Sequence, residues 1–485
     1  MKKIFTFISA VVMALSMVAA NLDTIQVDGI YYQLNKDDQT ATLIRYNTSS
    51  KYEIENIVIP VSVSKDEVSY PVIALGQGAL RNSTAKTVVF AKGSKVTSLG
   101  MQFLQAAVDV LELELPEGVK TVPMTGIHNA TAANPMKMKK LVLPASVDSI
   151  VRMAVCLPQL ELLQFKGAIP PKMNTFLAGS GYTQNAWEVN KDNVCNTAKS
   201  AIVVVPVGAV EAYKSTAWIG DYFTTILAEK DTIEADGLYF ELNNLAQTAS
   251  LIAAQNTNKK YEQESIVIPV SVSKNEIVYP VVALARGAFK QSTAKSISFA
   301  AGSNVKEIGT QSFQRVINLK ELELPEGIQL IPVTGIHSDQ DPAVEPMALE
   351  KVILPASVDS LAMMSVVASG LKSIEFKGAV PPGCCHKYIA ATDYYQVPWQ
   401  INAVHKNFTS KECQIIVPDG ALAAYKAAPG IGDYFTNIIE KKDVPTAIDQ
   451  LSNDQKQMTS KVVRNGQILI LRDGKTFTLT GQEVR

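Results

Sequence analysis

The chain has little of what most enzymes and nucleic-acid binders are made from. Four histidines, His128, His337, His386 and His405, are scattered over 485 residues. No G-x-S-x-G elbow surrounds a serine, and there is no phosphate-binding glycine loop, dinucleotide fingerprint or calcium loop. Cysteine is scarce. The five residues Cys156, Cys195, Cys384, Cys385 and Cys413 are an odd number, and far too sparse for a disulfide framework. Only Cys384-Cys385-His386, with His405 and Cys413, gathers metal-ligand residue types, and adjacent cysteines are poorly spaced for one tetrahedral ion. The inventory predicts no catalytic residue, no metal and no cofactor. Excess charge is missing too. Forty-five basic residues face 46 acidic ones, and no dense Lys/Arg run occurs, so nothing draws the chain to nucleic acid or an anionic membrane surface.

Long apolar runs are also absent, except at the start. "MKKIFTFISAVVMALSMVAA" has two lysines, an apolar middle and a small-residue exit at Val18-Ala19-Ala20, the pattern of a secretory signal peptide. The 17 residues after the lysines are short for a membrane span, and no basic stop-transfer cluster follows. Cleavage after Ala20 is expected, which removes two positive charges and takes the net charge from −1 to −3.

What the chain has in quantity is repetition. "IVIPVSVSK" occurs at 57–65 and again, unchanged, at 266–274. "LELPEG" recurs at 113–118 and 322–327, "LPASVDS" at 143–149 and 354–360, "FKGA" at 165–168 and 376–379, and "GDYF" at 220–223 and 432–435. A unit of about 210 residues is therefore duplicated. Within each copy, short β-prone blocks end at Pro60, Phe90, Pro116, Pro144, Phe165 and Pro206, and at Pro269, Phe299, Pro325, Pro355, Phe376 and Pro418. Their spacings are 30, 26, 28, 21 and 41, then 30, 26, 30, 21 and 42. One short strand every 20–30 residues is the signature of a solenoid whose coils bury their apolar faces on one another. His128 and His337 hold the same place in "TGIH" in each copy, which suits a structural loop.

"IGTQSFQRVINLKELELPEGIQLI" (308–331) resembles the BspA-like leucine-rich repeat of bacterial surface antigens. "VPVGAVEAYKSTAWIGDYFTTILAE" and "VPDGALAAYKAAPGIGDYFTNIIEK" are similar to the closing segments of such domains, and "DGIYYQL" with "TATLIRY" to their opening hairpins. The resemblance implies a β-rich solenoid: two tandem leucine-rich-repeat domains with hairpin N-caps and strand-helix C-caps, at 21–230 and 231–442. A polar linker is expected at 443–460. A C-terminal hairpin tail follows at 461–485, turning at Asp473-Gly474; it is either a small terminal hairpin or a sorting signal.

The resemblance also implies a function. It points to an exported, non-catalytic protein, secreted or at the cell surface, engaged in adhesion or binding to a protein or glycan. The alternative is a structural envelope protein in the periplasm without a specific ligand. Long loops on rigid scaffolds gather binding residues. The two stretched intervals collect Phe176, Tyr182 and Trp187, then Tyr388, Tyr394, Tyr395 and Trp399. These are the candidate binding anchors; the competing reading is a packed lid over the last coil.

Overall fold

The alternation of buried and half-exposed residues along Ile30–Asn35 and Leu238–Asn243 shows how each repeat unit begins. Period-two burial closes one face of a hairpin sheet over the first coil and leaves the other wet. The computed structural model describes residues 22–45, 51–129, 134–179, 181–189, 195–338, 347–385, 387–389, 394–400, 408–444, 459–464, 467–472, 475–478 and 483–484. The expected signal peptide, most of the linker, the Asp473-Gly474 turn, His386 and His405 lie outside these residues. The chain divides into two compact units: residues 1–231 with 243–247, and residues 232–242 with 248–485.

In the first unit, Leu22–Val27, Ile30–Asn35, Thr40–Ile44, Val68–Leu75 and Ser62–Lys65 form the opening sheet in that spatial order. Parallel ladders then run along the coils. The longest joins Glu112–Glu114, Lys140–Leu143, Leu162–Phe165, Ile202–Val205 and Thr225–Ala228. A second joins Thr121–Val122, Ser149–Ile150 and Lys172–Met173, and a third joins Ile127–His128 and Val155–Cys156. The second unit repeats this plan, with Glu321–Glu323, Lys351–Leu354, Ser373–Phe376, Gln414–Val417 and Ile438–Glu440 in its long ladder. Each long strand sends Leu, Ile, Val or Phe inward, and a proline or short turn follows it. Such strands are too short for proline to remove a needed ladder bond.

Each unit has one apolar core running from opening sheet to closing segment. The closing segments explain the recurrence of "GDYF". A Cβ on Gly220 would lie 1.7 Å from the Lys214 carbonyl oxygen, and one on Gly432 would lie 2.0 Å from that of Lys426. Asp221 accepts from the Trp218 amide, and Asp433 from the Gly430 amide. Tyr222 donates its hydroxyl to the Thr197 carbonyl at 2.7 Å, and Tyr434 to that of Thr409 at 2.8 Å. The closing helices Val210–Lys214 and Leu422–Ala427 bury one tyrosine each. Tyr213 and Tyr425 pack on Phe165 and Phe376 and donate to the Gly167 and Gly378 carbonyls, both at 2.8 Å. The "FKGA" block is thereby tied to the cap.

The C-terminal tail is larger than the hairpin expected. Gln467–Arg472 and Lys475–Thr478 pair antiparallel across the predicted turn, but Thr459–Arg464 and Glu483–Val484 extend them to a four-stranded sheet. The first of these strands begins inside the span read as linker, where flanking polar residues mask its short Val462-Val463 signal.

Candidate functional site

The aromatic loops resolve into a core part and a surface part. Trp187 and Trp399 are both 0 % exposed. Trp187 donates its indole N–H to the Trp218 carbonyl and meets Phe223 edge-on, with ring centroids 5.1 Å apart. Trp399 donates to the Gly430 carbonyl at 2.6 Å and meets Phe435 edge-on at 4.9 Å. The two loops differ in sequence, yet each carries one tryptophan to the same place under the closing coil. A side chain this large fills the space there, and its one donor finds a backbone acceptor. As surface anchors, Trp187 and Trp399 are corrected: they offer nothing to a partner.

The remaining aromatics lie on two small hairpins. Phe176 is 50 % exposed on the Phe176–Leu177 strand, paired with Thr183–Gln184, and the Arg152 guanidinium sits 4.3 Å from its ring centroid. Tyr182 is half-buried and donates to Glu188 at 2.6 Å. Tyr388 is 48 % exposed on Lys387–Ile389, paired with Tyr394–Gln396. Tyr394 and Tyr395 belong to that return strand, and their side chains lie outside the described residues.

Sequence reasoning missed a second feature, present in both units. The long ladder is interrupted. Asn56–Ile59 and Thr87–Phe90 form their own two-stranded sheet, as do Ser265–Ile268 and Ser296–Phe299. No ladder joins Thr87–Phe90 to Glu112–Glu114, nor Ser296–Phe299 to Glu321–Glu323, among the described residues. A groove of about 470 Å³ opens at the break in the first unit, lined among others by Phe90, Glu114, Glu117 and Lys166. The second unit has one of about 480 Å³ at the corresponding break, lined by Phe299, Glu323, Glu326 and Lys377. Lys166 bridges to Glu114 and Lys377 to Glu323, each reaching across the strand between. Glu117 accepts from the Ala145 amide and Glu326 from the Ala356 amide, both at 3.1 Å. These outward-facing residues are the same in both copies, whereas many outer-face neighbours differ. That identity was the available signal.

The buried chemistry is inert. His128 is 4 % exposed, neither ring nitrogen has a hydrogen-bond partner, and burial pushes its imidazole from the ordinary value down to about 4. Burial likewise raises the thiols of Cys156, Cys384 and Cys413, the last two to about 12, so none is a ready nucleophile. Among the described residues no group of three His, Cys, Asp or Glu could hold a metal ion. No helix among them is long and apolar enough to cross a membrane.

The family model for the BspA type leucine rich repeat region matches residues 282–381, with six copies. That stretch is a BspA-type leucine-rich repeat region. The match falls within the second unit, and the first repeats the same ladders and closing contacts. Among solved structures, the chain is similar to a leucine-rich repeat protein from Bacteroides capillosus, at 21 % identity and TM-score 0.25, over 30 % of this chain and 99 % of that one. It is similar to a leucine rich cell surface protein from Faecalibacterium prausnitzii, at 17 % identity and TM-score 0.21, over 73 % and 95 %. A third is the pneumococcal vaccine antigen PcpA, at 14 % identity and TM-score 0.25, over 86 % and 98 %. The fold rests on the ladders and the repeat match, not on these superpositions. A search of curated proteins finds no match.

Proposed function

We propose that this BspA-type protein is exported and acts, without catalysis, as a binding module at the cell surface or in the secreted fraction, with a protein or glycan as partner. The observation that carries this reading is the pair of corresponding grooves, which keep the same glutamates and lysine in both units: Glu114, Glu117 and Lys166, then Glu323, Glu326 and Lys377. A purely structural solenoid needs its core preserved, not a matching set of outward-facing carboxylates and lysines. The first 20 residues supply the export signal. The buried histidine and the thiols with raised pKa leave these groups without a catalytic role. The exposed rings of Phe176 and Tyr388 are auxiliary contacts, one per unit.

Protease treatment of intact cells tests this. The reading expects the protein to be cleaved while a periplasmic marker stays whole. Protection of the protein until the cells are lysed contradicts surface display.

A further inference from the structure

Two of the five thiols are buried where the core does not need them. Cys156 is 0 % exposed and Cys195 1 %, yet neither belongs to the apolar core of the first unit. Alternation along Val155–Cys156 explains the first: Val155 packs in the core, so Cys156 turns away from it. The next coil covers that side. The Val155 amide donates to the Ala186 carbonyl at 3.0 Å, and the Ala198 amide to the Leu157 carbonyl at 3.1 Å. Between them Thr197 sits astride Cys156. Its hydroxyl donates to the Val155 carbonyl at 2.6 Å and accepts from the Leu157 amide at 3.1 Å. The Thr197 amide also donates to the Trp187 carbonyl at 2.9 Å, so the chain leaves at Trp187 and returns to the same point. Cys195 stands two residues before that return, and two residues span at most about 7 Å. Burial, and after it the neighbouring Cys195 thiol, raise the Cys156 thiol.

Both thiols are free in this structure. The second unit supplies a control, because Val367 stands at the place of Cys156 and Asn407 at that of Cys195. We propose that Cys156 and Cys195 form a disulfide when the chain is exported, stapling the base of this loop to the coil beside it. This rests on the export reading, since such bonds persist in oxidising compartments. A thiol buried in its protonated form does not attack, so the bond forms while the unit folds. The oxidant is a dithiol oxidoreductase in its disulfide form. The Cys195 thiolate attacks one of its sulfurs, giving a mixed disulfide, and the other oxidoreductase sulfur leaves as thiolate. The Cys156 thiolate then attacks the Cys195 sulfur and expels the first. Two thiols lose two protons and two electrons, and the oxidoreductase disulfide takes them up as a dithiol. The closed stretch carries the Phe176–Leu177 and Thr183–Gln184 hairpin, so the staple restrains the segment that presents Phe176.

The test is peptide mapping by mass spectrometry of the full chain from the exported fraction, alkylated in denaturant without reductant. The expected product is one cross-linked pair of peptides holding Cys156 and Cys195, with Cys384, Cys385 and Cys413 alkylated. Thermal unfolding gives a second readout. Reductant is expected to lower one melting transition of the wild type by about 5–10 °C, the effect of opening a long disulfide loop. Cys156→Val, the residue of the second unit at that place, is expected to melt alike with and without reductant. Five alkylated thiols, a bridge between any other pair, or wild-type melting that reductant leaves unmoved overturns the proposal. Exported protein with five free thiols leaves the export reading standing, whereas protein found only in the cytoplasm contradicts that reading. In that event the full chain is refolded from denaturant with glutathione disulfide, and the same mapping decides the bridge.

Discussion

Gln164 in the first unit and Glu375 in the second hold the same register position on the outer face of the long ladder, yet only one carries charge. Glu375 bonds Lys441 at 2.7 Å and lies 3.6 Å from Lys351. Burial works to raise its carboxyl, but the two ammonium groups outweigh this and hold it below the ordinary carboxylate value. In the first copy the position matching Lys441 is Glu229, and a neutral glutamine stands where a second acid would be repelled. The enclosed positions tell the opposite story. Trp187 and Trp399, Tyr213 and Tyr425, and the "GDYF" contacts are duplicated almost bond for bond. Packing leaves few solutions inside, whereas the outer face changes freely as long as charges change in compatible pairs. The groove glutamates and lysines depart from that pattern: Glu114, Glu117 and Lys166 keep the identities of Glu323, Glu326 and Lys377, although Val89 beside them gives way to Ser298.

The largest expected effect tests the shared frame. Trp187→Ala and Trp399→Ala should each lower stability by about 3–5 kcal/mol in denaturant unfolding, as emptying a buried aromatic site does. A clear inequality between the two would show that the frames differ.

His128 sharpens the comparison through pH. Its folded value, about 4, lies below the ordinary imidazole value of 6.5. Above 6.5 the stability it permits is complete; as pH falls, the unfolded chain takes the proton first and stability drops until about 4, where it levels off. The full loss is about 3 kcal/mol. His128→Leu should flatten that slope in acid titrations followed by circular dichroism.

Next in size, Gly220→Ala and Gly432→Ala force a Cβ into a carbonyl and should cost about 1–3 kcal/mol each. The smallest effect concerns the outer face. Gln164→Glu should cost about 1 kcal/mol, and adding Glu229→Lys should recover most of it by recreating the second unit's pair. The coupling is read from a double-mutant cycle.

Much of this fold was legible because solenoid coils announce themselves locally. The blocks ending at Pro60, Pro144 and Pro206 are the strands Asn56–Ile59, Lys140–Leu143 and Ile202–Val205. The two-residue strands, such as Thr121–Val122, were not legible: an alternation needs more than one period to stand out. The site was harder to read. Aromatic content singled out Trp187 and Trp399, but composition does not distinguish a ring that anchors a partner from one that plugs a coil. Burial does. The groove depends on a missing ladder, a tertiary property that no residue type encodes. Its only trace was the identity of Glu114 with Glu323 and of Lys166 with Lys377.

The account stands on each copy being a complete capped solenoid with its own core. Unfolding of residues 21–230 expressed alone, followed by circular dichroism and tryptophan fluorescence, tests this most directly. The prediction is a soluble fragment with one cooperative transition, coincident by both probes, and a buried Trp187 signal. A molten fragment without that transition, while the full chain unfolds cooperatively, would contradict it.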